Sequence, residues 1–270
     1  MAKILKILGV FITLVVFVVV VLYWDFTKFC ASSVPIFAYH RVENADDMYT
    51  MPVKDFAEQM AYLQEAGYTT MNLDQYAIAR QKGESFHNKI VLIFDDGYLD
   101  NLTNAAPIMK KHGFTGSMFM AVKFEGWPGY IDWQREHELV KFGWEIGSHT
   151  INHNPLTDLK PEQVKDELIR SYKYVRGIYN PPTGSTLSYP SGKVNDAIAK
   201  QVEEAGYIAA VSGVVGVNDN TVPLMQLRRV NVFHYKNQSM KKFKRALVKA
   251  QVASWALSHG VDIVKWVEKR

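Results

Sequence analysis

The sequence predicts an α/β fold built on a parallel sheet, open or closed. Two observations carry this. Short strand-like apolar segments alternate with segments whose apolar residues recur at helical spacing, over most of the chain. The run Ile90-Val91-Leu92-Ile93-Phe94 then stops abruptly at Asp95-Asp96-Gly97, which reads as a buried strand ending in a tight turn. Strand ends of this kind are where α/β folds and barrels place their chemistry. Two adjacent carboxylates there repel each other unless a positive charge sits beside them. A metal ion answers that need. The alternative is a helix cap, with Asp96 or Asp100 capping a helix that starts near Asn101.

The elements follow in order. Val34 to His40 reads as a strand with Pro35 near its start, where a missing amide is tolerated. Phe56, Met60 and Leu63 lie at helical spacing before Gly67. Tyr68 to Leu73 is a candidate strand, and Asp74 to Ala79 a short helix. After the Asp-Asp-Gly turn the pattern predicts a helix over 101–111, a strand over Phe114 to Val122, and a helix capped by Asp132. Trp144 to Ser148 is a strand leading into His149. Helices over Pro161 to Gly177 and Val194 to Gly206 flank a short strand at Leu187 to Pro190. Strands over Tyr207 to Ser212 and Leu224 to Val232 enclose a Gly- and Asn-rich loop, and a basic helical stretch closes the chain.

The chain has 270 residues, a net charge of +4 and one cysteine, Cys30. The length suits one catalytic domain with an accessory segment. The charge is too mild to argue for nucleic acid, and no nucleotide-binding pattern is present. One cysteine excludes an intrachain disulfide. Ile7 to Trp24 carries no charge and is just long enough to span a hydrocarbon core. Lys3 and Lys6 precede it, which places the N-terminus in the cytoplasm and the rest outside. An uncleaved anchor is the preferred reading; a cleaved signal at Ala31-Ser32-Ser33 is the alternative. The expected division is an anchor over 1–24, a tether over 25–33, a catalytic domain over 34–235 and a basic helical segment over 236–270, packed on or beside it. That basic helix is read as a solvated face, with contact to anionic lipid as the alternative.

His149-Thr150-Ile151-Asn152-His153 places two imidazoles four residues apart, a spacing that a helical turn would bring to one face. Together with one carboxylate of the Asp-Asp pair they make a two-histidine, one-carboxylate metal site with positions left open. The other carboxylate is then free to act as a base toward water.

Phe-Asp-Asp-Gly followed by His-Thr-x-x-His resembles the first two motifs of the polysaccharide deacetylase family, the NodB-like carbohydrate esterases. The resemblance covers about residues 34 to 235. It implies a distorted (β/α) barrel of about seven strands, where the period alone leaves an open doubly wound sheet possible. It also implies Asp96, His149 and His153 as metal ligands and Asp95 as catalytic base. Leu187 to Gly192 looks like the third motif, which gives Ser191 as the backbone donor to the oxyanion. Leu227 to Val232 resembles the family's late strand, with Arg229 reaching the catalytic aspartate. The groove residues implied are Tyr39, Tyr98, Trp127, Tyr189 and Pro190. Trp127, in the loop Gly126-Trp127-Pro128-Gly129-Tyr130, also reads as plain loop packing.

The chain departs from the family pattern in places. Ser188 stands where many members carry an arginine, and Ser191 where an aromatic is usual. The fourth motif is absent from 213 to 222, and His234 lacks the neighbours of the late Leu-His motif. Val34 to Val42, however, looks like the opening strand of the branch acting on poly-β-1,6-N-acetylglucosamine, which assigns His40 as general acid. The function implied is metal-dependent removal of N-acetyl groups from a β-linked N-acetylglucosamine polymer at the outer face of the cytoplasmic membrane. Zinc is the expected metal, with cobalt, nickel or manganese able to substitute, and a monomer is expected. Peptidoglycan as substrate stays open, and so does a catalytically inactive, tethered glycan-binding module.

Overall fold

The computed structural model describes residues 2–178, 185–235, 239–264 and 267. Its strands are β1 (Ile36–Tyr39), β2 (Arg41–Val42), β3 (Thr50–Met51), β4 (Thr69–Thr70), β5 (Lys89–Phe94), β6 (Ser117–Met120), β7 (Glu145–Ser148), β8 (Thr186–Ser188), β9 (Ala209–Val215) and β10 (Leu227–Asn231). Its helices are α1 (Ala2–Ser32), α2 (Val53–Glu65), α3 (Leu73–Gln81), α4 (Ala106–Lys111), α5 (Trp133–Lys141), α6 (Pro161–Ile178), α7 (Asp196–Glu204) and α8 (Ser239–Ser258).

Seven parallel strands close into a barrel in the order β1-β10-β9-β8-β7-β6-β5. Closure is direct: β1 pairs with β10 at Phe37↔Val230 and with β5 at Ile36↔Val91. This settles the choice between barrel and open sheet. The two-residue β4 lies outside the ring against β5, and β2 pairs with β3 above the barrel.

Strand alternation sorts the side chains. Ile36, Ala38, Val91, Ile93, Phe119, Ala209, Val211 and Leu227 fill the interior, where they meet Leu73 and Tyr76 of α3. Their neighbours Phe37, Tyr39, Leu92, Phe94, Met118 and Val230 face outward into the layer beneath the helices. The same alternation carries His40, Asp95 and His149 inward just past their strand ends. One sequence rhythm therefore builds the core and delivers the polar residues to the C-terminal mouth. At the opposite end α3 plugs the barrel. Leu73 N donates to Ser117 Oγ at 2.9 Å and Asp74 N to Glu145 Oε2 at 3.1 Å.

Several elements differ from the periodicity. Asn101–Ala105 is a π-helical turn that precedes α4. β9 continues to Val215, through the start of the stretch read as loop. The tether is helical, because α1 runs unbroken to Ser32. The C-terminal helix α8 packs on the barrel: Phe243 stacks on Phe37 at 5.0 Å and its buried face covers the barrel wall.

Candidate active site

Two strand ends build the centre. Asp96 follows β5, and His149 and His153 follow β7. His153 Nε2 lies 3.1 Å and His149 Nε2 3.5 Å from Asp96 Oδ1, and the ligating atoms of all three residues fall within 4.8 Å of one another. Donors bound tetrahedrally at about 2.0–2.2 Å sit roughly 3.3–3.6 Å apart, so the set fits a divalent metal. His149 Nδ1 donates to Ser188 O at 2.6 Å, which orients Nε2 toward Asp96.

The electrostatics favour ligand forms. Burial lowers the affinity of His149 for a proton, Asp95 and Asp96 oppose that shift, and the His153 charge adds to it; the net direction is down. A neutral imidazole keeps its lone pair for a metal. For Asp96 burial favours the protonated acid, but the His153 hydrogen bond and the nearby His149 and His40 outweigh it and hold the carboxyl well below its usual range.

The imidazoles do not converge through a helical turn. Residues 149–153 form an irregular loop in which Thr150 has φ 68° and His153 φ 58°. A β-branched residue in the left-handed region costs on the order of 1–3 kcal/mol, so the surroundings must hold it. Buried Glu167 of α6 does much of this, accepting from Ile151 N and Asn152 N at 2.9 Å each. Thr150 Oγ1 accepts from His153 N at 3.1 Å, and Ser148 Oγ from Thr150 N at 3.1 Å. Glu167 escaped the sequence reading because a glutamate on an amphipathic helix looks like any solvated residue.

Beside the ligands, Asp95 Oδ2 accepts from Arg229 Nη1 at 2.8 Å. Asp95 Oδ1, His40 Nδ1, Ser188 Oγ, Arg229 Nε, Asn231 Oδ1 and His234 Nδ1 are buried atoms with no hydrogen-bond partner among the described residues. Unpartnered polar atoms are rare in folded proteins; here they share the barrel mouth, where a bound molecule would satisfy them. The cap alternative for the Asp pair fails. Asp96 faces the histidines, and Asp100 accepts from Val42 N at 2.7 Å and from Arg41 without capping the helix.

His40 directly follows β1, with Tyr49 against its ring at 4.9 Å between centroids. Asn101 Nδ2 fixes its carbonyl at 2.8 Å. Ser191 sits exposed at the tip of the turn after β8, with φ 58°. His234 lies on the loop after β10, where its amide donates to Met48 O at 2.9 Å. Trp127 is 54% exposed and packs edge-on against Phe124, whose ring lies 5.9 Å from His153. Tyr98 stacks on Tyr130, and Tyr130 on Phe124. This aromatic wall borders the ligands; the aromatic loop 126–130 pointed to Trp127 and Tyr130, while Phe124 had no motif to mark it.

Three groove assignments need correction. Tyr39 is fully buried, facing the helices, with its hydroxyl donating to Gln59 Oε1 at 2.8 Å. Tyr189 is likewise buried among residues of α6 and α7, and its hydroxyl donates to Met225 O at 2.9 Å. Pro190 is buried as well. Strand alternation explains the tyrosines: each is next to an inward residue, and so points outward.

The family profile for polysaccharide deacetylase matches residues 82–210. YxkH of Bacillus subtilis, whose name places it provisionally among polysaccharide deacetylases, is 31% identical over 202 residues, covering 74% of this chain and 72% of its own. The chain belongs to the polysaccharide deacetylase family. The poly-beta-1,6-N-acetyl-D-glucosamine N-deacetylase of Staphylococcus epidermidis is 21% identical over 197 residues, 62% of this chain and 68% of its own. The peptidoglycan-N-acetylglucosamine deacetylase of Bacillus cereus is 31% identical over 120 residues, 44% of this chain and 53% of its own. The barrel superposes on the Streptococcus pyogenes deacetylase PplD, solved with acetate, with TM-score 0.73 and 21% identity over 80% of this chain and 99% of that one. Family, fold and ligand set together define a metal-dependent deacetylase that acts on acetylated glycans.

Proposed function

We propose that this deacetylase removes N-acetyl groups from a β-linked N-acetylglucosamine polymer outside the cytoplasmic membrane, with poly-β-1,6-N-acetylglucosamine as the favoured substrate. The observation that carries the chemistry is the convergence of Asp96, His149 and His153 beside the Asp95–Arg229 pair. The substrate assignment is supported by His40 at the end of β1 and by the likeness to the S. epidermidis enzyme.

Asp96, His149 and His153 would hold the metal, zinc by its donor set. When bound, it supplies Lewis-acid activation of a water and of the acetyl carbonyl. Asp95 takes the proton from the attacking water, and Arg229 orients its carboxylate. The Ser191 amide, at the tip of the β8 turn, donates to the acetyl oxygen as negative charge develops there. His40 gives a proton to the departing nitrogen. Acetate and a glucosamine amine result. Tyr98 and Trp127 line the sugar groove, and the chain acts as a monomer. We take 1–24 as an uncleaved anchor that keeps the catalytic domain outside, supported by the length and apolar character of α1.

The B. cereus relative favours a second reading, the same reaction on peptidoglycan N-acetylglucosamine. Acetate release from poly-β-1,6-N-acetylglucosamine, chitin oligomers and peptidoglycan separates the two. No release from any of them with metal present defeats both and leaves a glycan-binding module.

A further inference from the structure

The apolar helix α1 runs into the domain with only Ser33, Val34 and Pro35 between it and β1. Its last two turns are fixed. Asp25 Oδ2 accepts from Trp255 Nε1 at 2.7 Å and lies 3.2 Å from His259 Nε2. Phe26 meets the Trp255 ring edge-on at 5.6 Å. One helical turn further on, Phe29 packs against the layer between barrel and helices, and Ala31 O accepts from Asn88 N at 3.2 Å, just before β5. Before these contacts the side chains are bare: Ile7 is 69% exposed and Trp24 60%.

The contacts also fix a direction. α1 ends where β1 and β5 begin, at the N-terminal face of the barrel. α8 starts at the mouth, where Ser239 Oγ accepts from Gln59 Nε2 at 3.2 Å beside Tyr39, and descends to Trp255 at the opposite face. The outer residue of α1, Asp25, meets the lower end of α8, while Phe29 meets the core above it. The two helices are therefore antiparallel neighbours along the barrel wall. The apolar stretch leaves the barrel on the side opposite the metal ligands.

We propose that α1 and α8 form a rigid post that stands the barrel on the bilayer with its N-terminal face toward the headgroups and its catalytic mouth outward. The site then reaches glycan held away from the membrane and misses an acetylated sugar attached directly to a lipid headgroup. From Trp255 to Ser239 the rise along α8 is about 24 Å at 1.5 Å per residue, which sets the height of the mouth above the lipid. This inference rests on the anchored reading of α1. It also places the basic stretch Lys241 to Lys249 on the mouth-side half of α8, away from lipid.

The test uses the full chain with Cys30→Ser, reconstituted in phosphatidylcholine–phosphatidylglycerol vesicles that carry a headgroup-bound quencher. Fluorophores are placed on Lys141→Cys, at the lower end of α5, and on Lys193→Cys, beside the turn after β8. The expected result is several-fold stronger quenching at position 141 than at 193. Equal or reversed quenching on a chain that floats with the vesicles overturns the upright post alone. A chain that does not float overturns the anchored reading and the post with it. Neither outcome depends on the substrate assignment. In a second arm, a flexible Gly-Ser insertion after Trp24 should raise hydrolysis of a lipid bearing an N-acetylglucosamine headgroup several-fold, with turnover of soluble oligosaccharide unchanged. No gain overturns the claim about reach.

Discussion

Arg229 Nη1 lies 2.8 Å from Asp95 Oδ2, with both residues buried at the barrel mouth, and the other oxygen of Asp95 has no partner among the described residues. The pair joins β10 to β5 across the barrel end. One carboxylate oxygen is held by the guanidinium while the other is kept for a bound molecule. This is the arrangement a fixed general base needs, because its free lone pair is aimed and its carboxylate cannot rotate away.

Asp95→Asn should therefore keep its metal and lose turnover by roughly 10²–10⁴-fold. The amide is nearly isosteric but cannot accept the proton. Metal analysis with acetate-release kinetics checks this; near-normal turnover would remove Asp95 from the reaction. Arg229→Ala leaves a buried carboxylate unpaired and should cost about 3–5 kcal/mol of stability, read by denaturant unfolding.

His40 and His234 are separable. His40 follows the inward position Ala38 of β1, and since Nδ1 of both His40 and His234 lacks a partner among the described residues, their places in the fold are what separate them. His234 lies on the loop beyond β10. His40→Ala should lower kcat by about 10²–10⁴-fold with metal still bound, and His234→Ala by roughly 10-fold at most. The reverse pattern on one soluble oligosaccharide would move the acid to the late segment.

Glu145 gives a pH prediction far from the site. It is wholly buried in the barrel floor, and burial, with Asp74 alongside, pushes its pKa up to about 8 despite hydrogen bonds from Ser117, Thr186 and the Asp74 amide. The folded state thus binds this proton more tightly than the unfolded chain. The stabilising contribution is complete below the ordinary glutamate range and is lost as pH rises toward 8. Glu145→Gln should flatten the fall in Tm between about pH 5 and about pH 9. An unchanged slope would show that the carboxylate is not protonated in the fold.

Gly147 tests the barrel packing. A Cβ there would sit 2.5 Å from the Phe119 ring inside the barrel. Gly147→Ala should destabilise by about 1–3 kcal/mol, as overpacked cores do, measured by thermal or urea unfolding.

The sequence made some parts of this molecule legible and hid others. The strand ending at Asp95-Asp96 and the His149/His153 pair were visible because apolar runs and rare side chains mark them. The route by which the histidines converge was not. Left-handed Thr150 and His153 depend on Glu167 from a distant helix, and no local pattern announces that. Tyr39 and Tyr189 show the opposite failure. Motif adjacency suggested the groove, but alternation along a strand turns every second residue to the far side. Barrel closure was likewise invisible to periodicity, since open and closed parallel sheets share one rhythm.

Hydrolysis of an acetylated glycan at the Asp96–His149–His153 centre requires the metal that these three side chains would hold. The direct measurement is acetate release from a soluble N-acetylglucosamine oligomer, before and after chelation and after restoring zinc, with metal content followed throughout. The expected result is one metal per chain, activity lost with the metal and regained on its return, and neither binding nor turnover in Asp96→Ala. Full activity in chelator with no bound metal, or a turnover-competent Asp96→Ala, would contradict it.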